Sequence, residues 1–129
     1  MRSRRETGEA GERAATDFLR GLKYVIVARN YRCRGGEIDL VALHRGTVVF
    51  VEVRTRSDGA LVDPIESVDD SKRRRIVTAA RHYAARHRLH DRAMRFDLVA
   101  VRAGVREMTC ELLVNAFDLN DLGPPRRRW

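Results

Sequence analysis

The chain has 129 residues, enough for one domain, and with 43% hydrophobic residues it can bury a core without disulfide staples. Its formal net charge of +8 favours a polyanionic partner, nucleic acid before an anionic membrane surface, although a merely basic soluble protein has the same balance. Cys33 and Cys110 form no CxxC pair, no apolar run approaches the ~18 residues of a membrane span, and no secretory apolar segment follows the basic start, so a reduced, cytoplasmic protein with free thiols is expected.

Residues Gly8 to Arg20 read as a helix, with Ala14, Ala15, Phe18, Leu19 and Leu22 in helical rhythm and Gly21 as a stop. Tyr24 to Ala28 reads as a strand, and Arg34-Gly35-Gly36 as a turn. Glu37 to Leu43 and Val48 to Arg56 alternate around His44-Arg45-Gly46-Thr47, which is a hairpin signal. A loop with Gly59 and Pro64 leads to a second helix over Asp69 to His90, whose apolar face carries Ile76, Ala79, Ala80, Tyr83 and Ala84. Arg95 to Val101 and, after a turn at Gly104, Val105 to Val114 complete the strands. The order predicts one mixed α/β domain over residues 1–122, and residues 123–129 read as a basic, disordered tail.

Alternation makes the hairpin chemically informative. Val49, Val51 and Val53 share one face, and Phe50, Glu52, Arg54 and Arg56 the other. On the preceding strand Ile38, Leu40 and Ala42 lie opposite Glu37, Asp39, Val41 and Leu43. If Arg45-Gly46 is a two-residue turn, His44 pairs with Thr47, Asp39 faces Glu52, and Glu37 faces Arg54. Two carboxylates opposite each other repel, and a central strand makes each costly to desolvate. A hard divalent cation offsets both, since Mg²⁺ commonly takes one or two carboxylates together with phosphate and water. The competing reading pairs Glu52 with Arg54 or Arg56 on a solvated face.

The segments "GGEIDLVA" at 35–42 and "VVFVEVRTR" at 48–56, with "GEAGERAATDFL" at 8–19, "RNYRCRGGEIDL" at 29–40 and "RFDLVAV" at 95–101, resemble the signature of the YraN family of small bacterial proteins. That family resembles archaeal Holliday-junction resolvases and the restriction-endonuclease-like fold. The resemblance implies an αβββαβ core with a mixed central sheet flanked by helices, and phosphodiester hydrolysis with Mg²⁺ or Mn²⁺ on repair or recombination DNA. It implies a homodimer by analogy with the two-fold symmetry of a junction. The nuclease pattern is an acid on one strand and Glu-x-Lys on the next. Asp39 matches the first acid and Glu52 the second, and Arg54 stands where the pattern has lysine. Glu12 matches an acid of the first helix and joins Asp39 and Glu52 as a candidate metal ligand, against the plainer reading of a surface acid suited to the helix dipole. Because arginine cannot release a proton near neutral pH, Arg54 predicts weak cleavage, unless it is a tolerated substitute in a chain biased toward arginine.

All but two of the 26 basic residues are arginine, the exceptions being Lys23 and Lys72. Lys72 opens the second helix, where a cation opposes the dipole, and is either part of the site or a neutral surface residue. Lys72, Arg73 and Arg74, with Arg34 beside the turn and Arg56 at the end of the hairpin, are the candidate nucleic-acid-binding residues. A solvated helix face is the alternative. His82, His87 and His90 on the same helix lack the further ligands that zinc needs. Three functions compete: a nuclease, a catalytically weak or inactive nucleic-acid-binding module of the same fold, and an assembly factor gripping a partner protein through the basic helix. A nucleic-acid partner predicts that duplex DNA affinity falls with salt at a log–log slope of roughly −0.9 per phosphate contacted. Affinity that stays flat from low to physiological salt points instead to a protein partner.

Overall fold

A computed structural model describes residues 3–57 and 63–118 of the chain. Gly59 and the basic tail at 123–129 lie outside the described residues. Helix α1 spans Arg4–Gly21, strand β1 Val25–Cys33, β2 Gly36–His44, β3 Thr47–Ser57, helix α2 Asp70–Arg86, β4 Met94–Ala103 and β5 Met108–Phe117. The strands form one sheet in sequential order β1-β2-β3-β4-β5. Neighbours are antiparallel except β3 and β4, which are parallel because α2 carries the chain across between them. This is the αβββαβ core expected from the sequence, extended by one antiparallel strand.

The sheet is covered on both faces. Ala15 and Leu19 of α1 pack with Leu40, Ala42, Val49, Val51, Val99 and Val101 on one side. Ile76, Ala79, Ala80 and Tyr83 of α2 pack with Val41, Val48, Phe50, Phe96 and Leu98 on the other. The central strand β3 is therefore apolar on alternate sides, as its Val-Val-Phe-Val run requires. Two glycines set how closely the layers approach. A Cβ on Gly11 would lie 2.0 Å from Thr55 Oγ1, and one on Gly36 would lie 2.4 Å from the Arg75 carbonyl oxygen. Among the described residues no helix is long and apolar enough to cross a membrane, and both cysteines are free.

Several boundaries differ from the sequence reading, each for a local reason. Helix α1 begins four residues early, because Ser3 caps it by accepting the Glu6 N–H and the Ser3 hydroxyl donates to the Glu6 carboxylate. Strand β1 continues to Cys33 through Arg29, Asn30 and Arg32, since an edge strand tolerates polar residues. Helix α2 ends at Arg86, where Arg88 takes a left-handed φ of 54° and the Leu89 N–H turns back to Ala84, so His87 is the cap and His90 lies beyond the helix. Strand β5 starts three residues late, because Gly104 and Glu107 close the turn with a 2.9 Å backbone hydrogen bond. At the β2–β3 turn Arg45 and Gly46 both have positive φ, 50° and 80°, and His44 pairs with Thr47 as expected.

A buried acid ties the strands together on the face of the sheet that α1 covers. Asp97 is fully buried and accepts from Tyr24 Oη at 2.9 Å, the Asn115 N–H at 2.9 Å and Arg95 Nε at 3.1 Å. Burial and then Asp97 push the Tyr24 phenol up from its usual value, so it stays protonated as a donor. The cluster joins the segment after α1 to β4 and to the end of β5. Asp97→Ala removes the acceptor and leaves the partly buried Arg95 without a counter-charge; it should cost roughly 3 kcal/mol, read as a lower urea midpoint. A loss below about 1 kcal/mol would show that solvent replaces the carboxylate.

Candidate active site

The β2–β3 ladder runs from His44↔Thr47 to Leu40↔Val51. Continued by one pair, it sets Asp39 opposite Glu52, and there the backbone pairing gives way to a side chain: Asp39 Oδ2 accepts the Val53 N–H at 2.8 Å. The pleat also breaks at this point. Ile38 packs on the α2 side, whereas Leu40, two residues on, packs on the α1 side. The expectation that Ile38 shares a face with Leu40 and Ala42 is thus corrected, and Asp39 sits at the reversal. Glu37 does not meet Arg54 either; it pairs across the neighbouring strand with Arg32 at 3.7 Å.

Glu52 is only 3% exposed, on a strand with neighbours on both sides. Its carboxyl group is close enough to Asp39 to share a hydrogen bond. Two ionised carboxylates so placed have only acceptors to offer each other, so one must hold a proton. Burial first, and then the hydrogen bond and charge of Asp39, push Glu52 up from 4.5 to about 9, against the pull of Lys72. Lys72 comes from the first turn of α2, where Asp69 caps the helix by accepting the Lys72 N–H at 2.8 Å. Lys72 Nζ lies 3.2 Å from Glu52 Oε2. That contact is an ion-pair approach without hydrogen-bond alignment, since Oε2 is buried with no hydrogen-bond partner.

Glu12 approaches from α1. Burial and then the charge of Asp39 raise its carboxyl group above the usual range, while a hydrogen bond from the Asn30 side chain opposes the rise. Asn30 lies between the Arg29↔Leu40 and Tyr31↔Ile38 pairs, beside Asp39, and has a left-handed φ of 49°. Non-glycine residues in that region are uncommon, and asparagine is one of the few that tolerate it. Sequence reasoning missed Asn30; a polar residue in the middle of a strand-forming segment was the available signal.

The remaining candidates separate by position. Arg54 is half-buried, and its Nε donates to Ser67 Oγ at 3.0 Å, which anchors it to the loop before α2. Arg73 donates to the Val68 carbonyl at 3.1 Å and lies over the Phe117 ring, so it is engaged within the fold. Arg34 and Arg74 are exposed. Arg56 is half-buried, and its Nε has no hydrogen-bond partner. His82 meets the Tyr31 hydroxyl, and His87 packs against the Tyr83 ring.

The donor set suits a hard divalent cation. Asp39 and Glu52 supply oxygen ligands, and the unpartnered Oε2 is a coordination position already desolvated. Among the described residues no three acidic, histidine or cysteine side chains form a ready cage. Phosphate and water oxygens would complete a Mg²⁺ or Mn²⁺ shell of that kind.

Residues 11–101 match the family described as "Uncharacterised protein family UPF0102". A UPF0102 protein of Symbiobacterium thermophilum is 46% identical over 114 residues, covering 88% of this chain and 97% of that protein. One of Myxococcus xanthus is 44% identical over 115 residues, 89% of this chain and 91% of that protein. One of Nitratidesulfovibrio vulgaris strain Hildenborough is 39% identical over 128 residues, 98% of this chain and 96% of that protein. Glu12, Asn30, Asp39, Glu52, Arg54 and Lys72 all fall within the matched segment, and β5 falls outside it.

The raised Glu52 carboxyl group has a thermodynamic consequence with a definite sign. The folded chain binds this proton more tightly than the unfolded chain, so the protonated group stabilises fully below about pH 4.5, and that contribution is lost progressively as pH rises toward 9. Glu52→Gln cannot ionise. In chelator, its melting temperature should exceed that of the natural chain by a margin that widens from pH 5 to pH 9. A constant margin would show that Glu52 is already ionised at the lower pH.

Proposed function

The chain belongs to the UPF0102 family, and on that premise we propose that it is a metal-dependent nuclease acting on DNA phosphodiesters in the cytoplasm. The observation that carries the reading is the desolvated Asp39–Glu52 carboxyl pair with the Lys72 ammonium 3.2 Å from one of its oxygens. An acid pair at such cost to folding suits a site for a cation and a phosphate, and the resemblance to resolvases and restriction-endonuclease-like enzymes assigns the same two positions. Branched repair or recombination intermediates are the substrate class that this resemblance favours.

Each residue has a distinct task. Asp39 and Glu52 would hold Mg²⁺ or Mn²⁺, and a cation bound there supplies Lewis acidity toward the phosphoryl oxygen and makes water a better nucleophile. Glu52 must release its proton to serve, so its shared proton and the cation exclude each other. Asp39 keeps one oxygen on the Val53 N–H, which fixes its orientation while leaving the other free to bind. Lys72 takes the part that the nuclease pattern gives to a lysine on the strand: it presents an ammonium group beside Glu52 to the charge that develops on the phosphate. Arg54 lies one pleat further along the same face, held on Ser67, and contacts a phosphate oxygen without transferring a proton. Glu12, kept near Asp39 by Asn30, orients the attacking water.

The second reading is a binding module of the same fold with little or no hydrolysis, favoured by arginine at position 54. Assays on junction, flap, single-stranded and duplex DNA with Mg²⁺ or Mn²⁺ decide between them. The nuclease reading predicts cleavage that Asp39→Asn abolishes and that Lys72→Ala lowers by about 10²-fold, the usual scale for one lost electrostatic donor, with DNA binding retained in both. With Lys72 supplying the ammonium, Arg54→Lys should change the rate little, in contrast to the gain expected from the strand pattern alone. A natural chain that binds but never cleaves, with Arg54→Lys equally inactive, would establish the binding module.

A further inference from the structure

Beyond the acid pair, the same face of the sheet carries a second conflict of like charges. Arg56 of β3 and Arg102 of β4 are direct partners in the parallel ladder, so their side chains emerge together on the α2 side. Neighbouring like charges destabilise a sheet. Neither arginine makes an ion pair among the described residues, and Arg56 Nε is buried without a hydrogen-bond partner. Leaving a charged donor buried and unpaired is costly unless a ligand satisfies it.

The two arginines line a cavity of about 160 Å³ beyond the N-terminal end of α2. That is well above the ~10–15 Å³ a single water needs on the same kind of measure. Ala100 is the small residue beside Arg54 in the β3–β4 ladder, and Thr109, the partner of Arg102 on β5, adds a hydroxyl group on the same face. One acid, Glu111, also lines the cavity and forms no ion pair with either arginine. A tetrahedral oxyanion matches this lining: two guanidinium groups offer paired donors in the geometry that phosphate accepts, and the Thr109 hydroxyl can donate to a remaining oxygen.

The position of the cavity identifies the source of the oxyanion. Glu52, Arg54 and Arg56 follow one another on the same face of β3, and each two-residue step advances about 6.6 Å. That is close to one backbone step of an extended nucleic-acid strand. We infer that the Arg56–Arg102 cavity binds a backbone phosphodiester of a single strand of nucleic acid, two steps from the phosphate held at Asp39 and Glu52. The strand's course rests on the proposed function; the phosphate site itself does not need hydrolysis.

The test is therefore run in chelator, where no cleavage occurs. Arginine Nε–Hε signals of the ¹⁵N-labelled full chain are followed while inorganic phosphate, an unphosphorylated single-stranded DNA hexamer, or its 5′-phosphorylated form is added. The unphosphorylated hexamer should shift the Arg56 and Arg102 signals. Response to inorganic phosphate or to the 5′-phosphorylated hexamer alone would assign the cavity to a free or terminal phosphate and overturn the backbone assignment. Arg102→Gln, an exposed position chosen because Arg56→Gln can disturb folding, should weaken hexamer binding roughly tenfold. It should also make the log–log salt slope shallower by about 0.7, the value for one phosphate of a single strand. Glu111→Gln should strengthen the same binding. An unchanged slope in Arg102→Gln with weaker binding would show a structural role and sink the proposal. Cleavage that survives Arg102→Gln with unchanged hexamer affinity would remove this site while leaving the acid pair's function standing, whereas absent cleavage with intact phosphate shifts would do the reverse.

Discussion

Glu52 carries a carboxyl group almost wholly out of water, on a strand with neighbours on both sides. Its charge is disfavoured by burial and again by Asp39 beside it, so Glu52 holds its proton more tightly than a free carboxyl group. The surrounding structure is arranged around that cost. Strand β2 leaves its ladder with β3 at Asp39, the side chain takes the Val53 N–H in place of a backbone acceptor, and the pleat reverses. Parting the strands there gives the acid pair an approach that a continuous sheet would deny it.

The two helices then bring opposite contributions from opposite faces. Helix α1 can lie close on β3 because Gly11 has no side chain to meet Thr55, and this approach carries Glu12 toward Asp39. On the other face Gly36 lets the β1–β2 turn settle against the α2 backbone at Arg75 and Ala79. Asp69 fixes where α2 starts, and so where Lys72 falls relative to Glu52. The Asp97 cluster holds β4, β5 and the chain after α1 in one network; Asp97 pairs with Val51, next to Glu52 in the chain, but its side chain lies on the opposite face of the sheet. Its charge is fully matched by neighbours, whereas the charge at Glu52 is not; that contrast separates a structural buried acid from one kept for a ligand.

How much of this could be read in the sequence depended on the range of the interactions. The pairing of Asp39 with Glu52 was legible because a two-residue turn and a period of two determine it locally, and His44↔Thr47 confirms the count. The same count failed at Ile38 and Glu37, because it assumed a regular pleat where a side chain had replaced a backbone acceptor. Lys72 stood out only as a rare lysine; its contact with Glu52 spans twenty residues and depends on the packing of α2. Ser67 and Arg102 gave no usable sign of their roles, and Asn30 only its polarity within a strand-forming segment, since each acts through a partner on another element. The Ser3–Glu6 cap is local, but it lies ahead of the apolar rhythm from which the helix was read.

The exchange of lysine for arginine on β3 is coherent once the two cations are considered together. A lysine at position 54 would bring a compact ammonium to the same face as Glu52, where Lys72 already supplies one from the helix. A second ammonium adds repulsion and little new chemistry. Arginine spreads its charge over a planar group with several donors; one of these can be given to Ser67, fixing the side chain, while others remain for a phosphate oxygen. The division then follows from donor geometry: the helix presents the point charge at the acid pair, and the strand presents forks at 54 and 56 along the path proposed for a polyanion. An arginine-rich background makes such an exchange easy to reach, but it does not account for Lys72, whose ammonium lies beside the buried carboxyl oxygen of Glu52 that has no hydrogen-bond partner among the described residues.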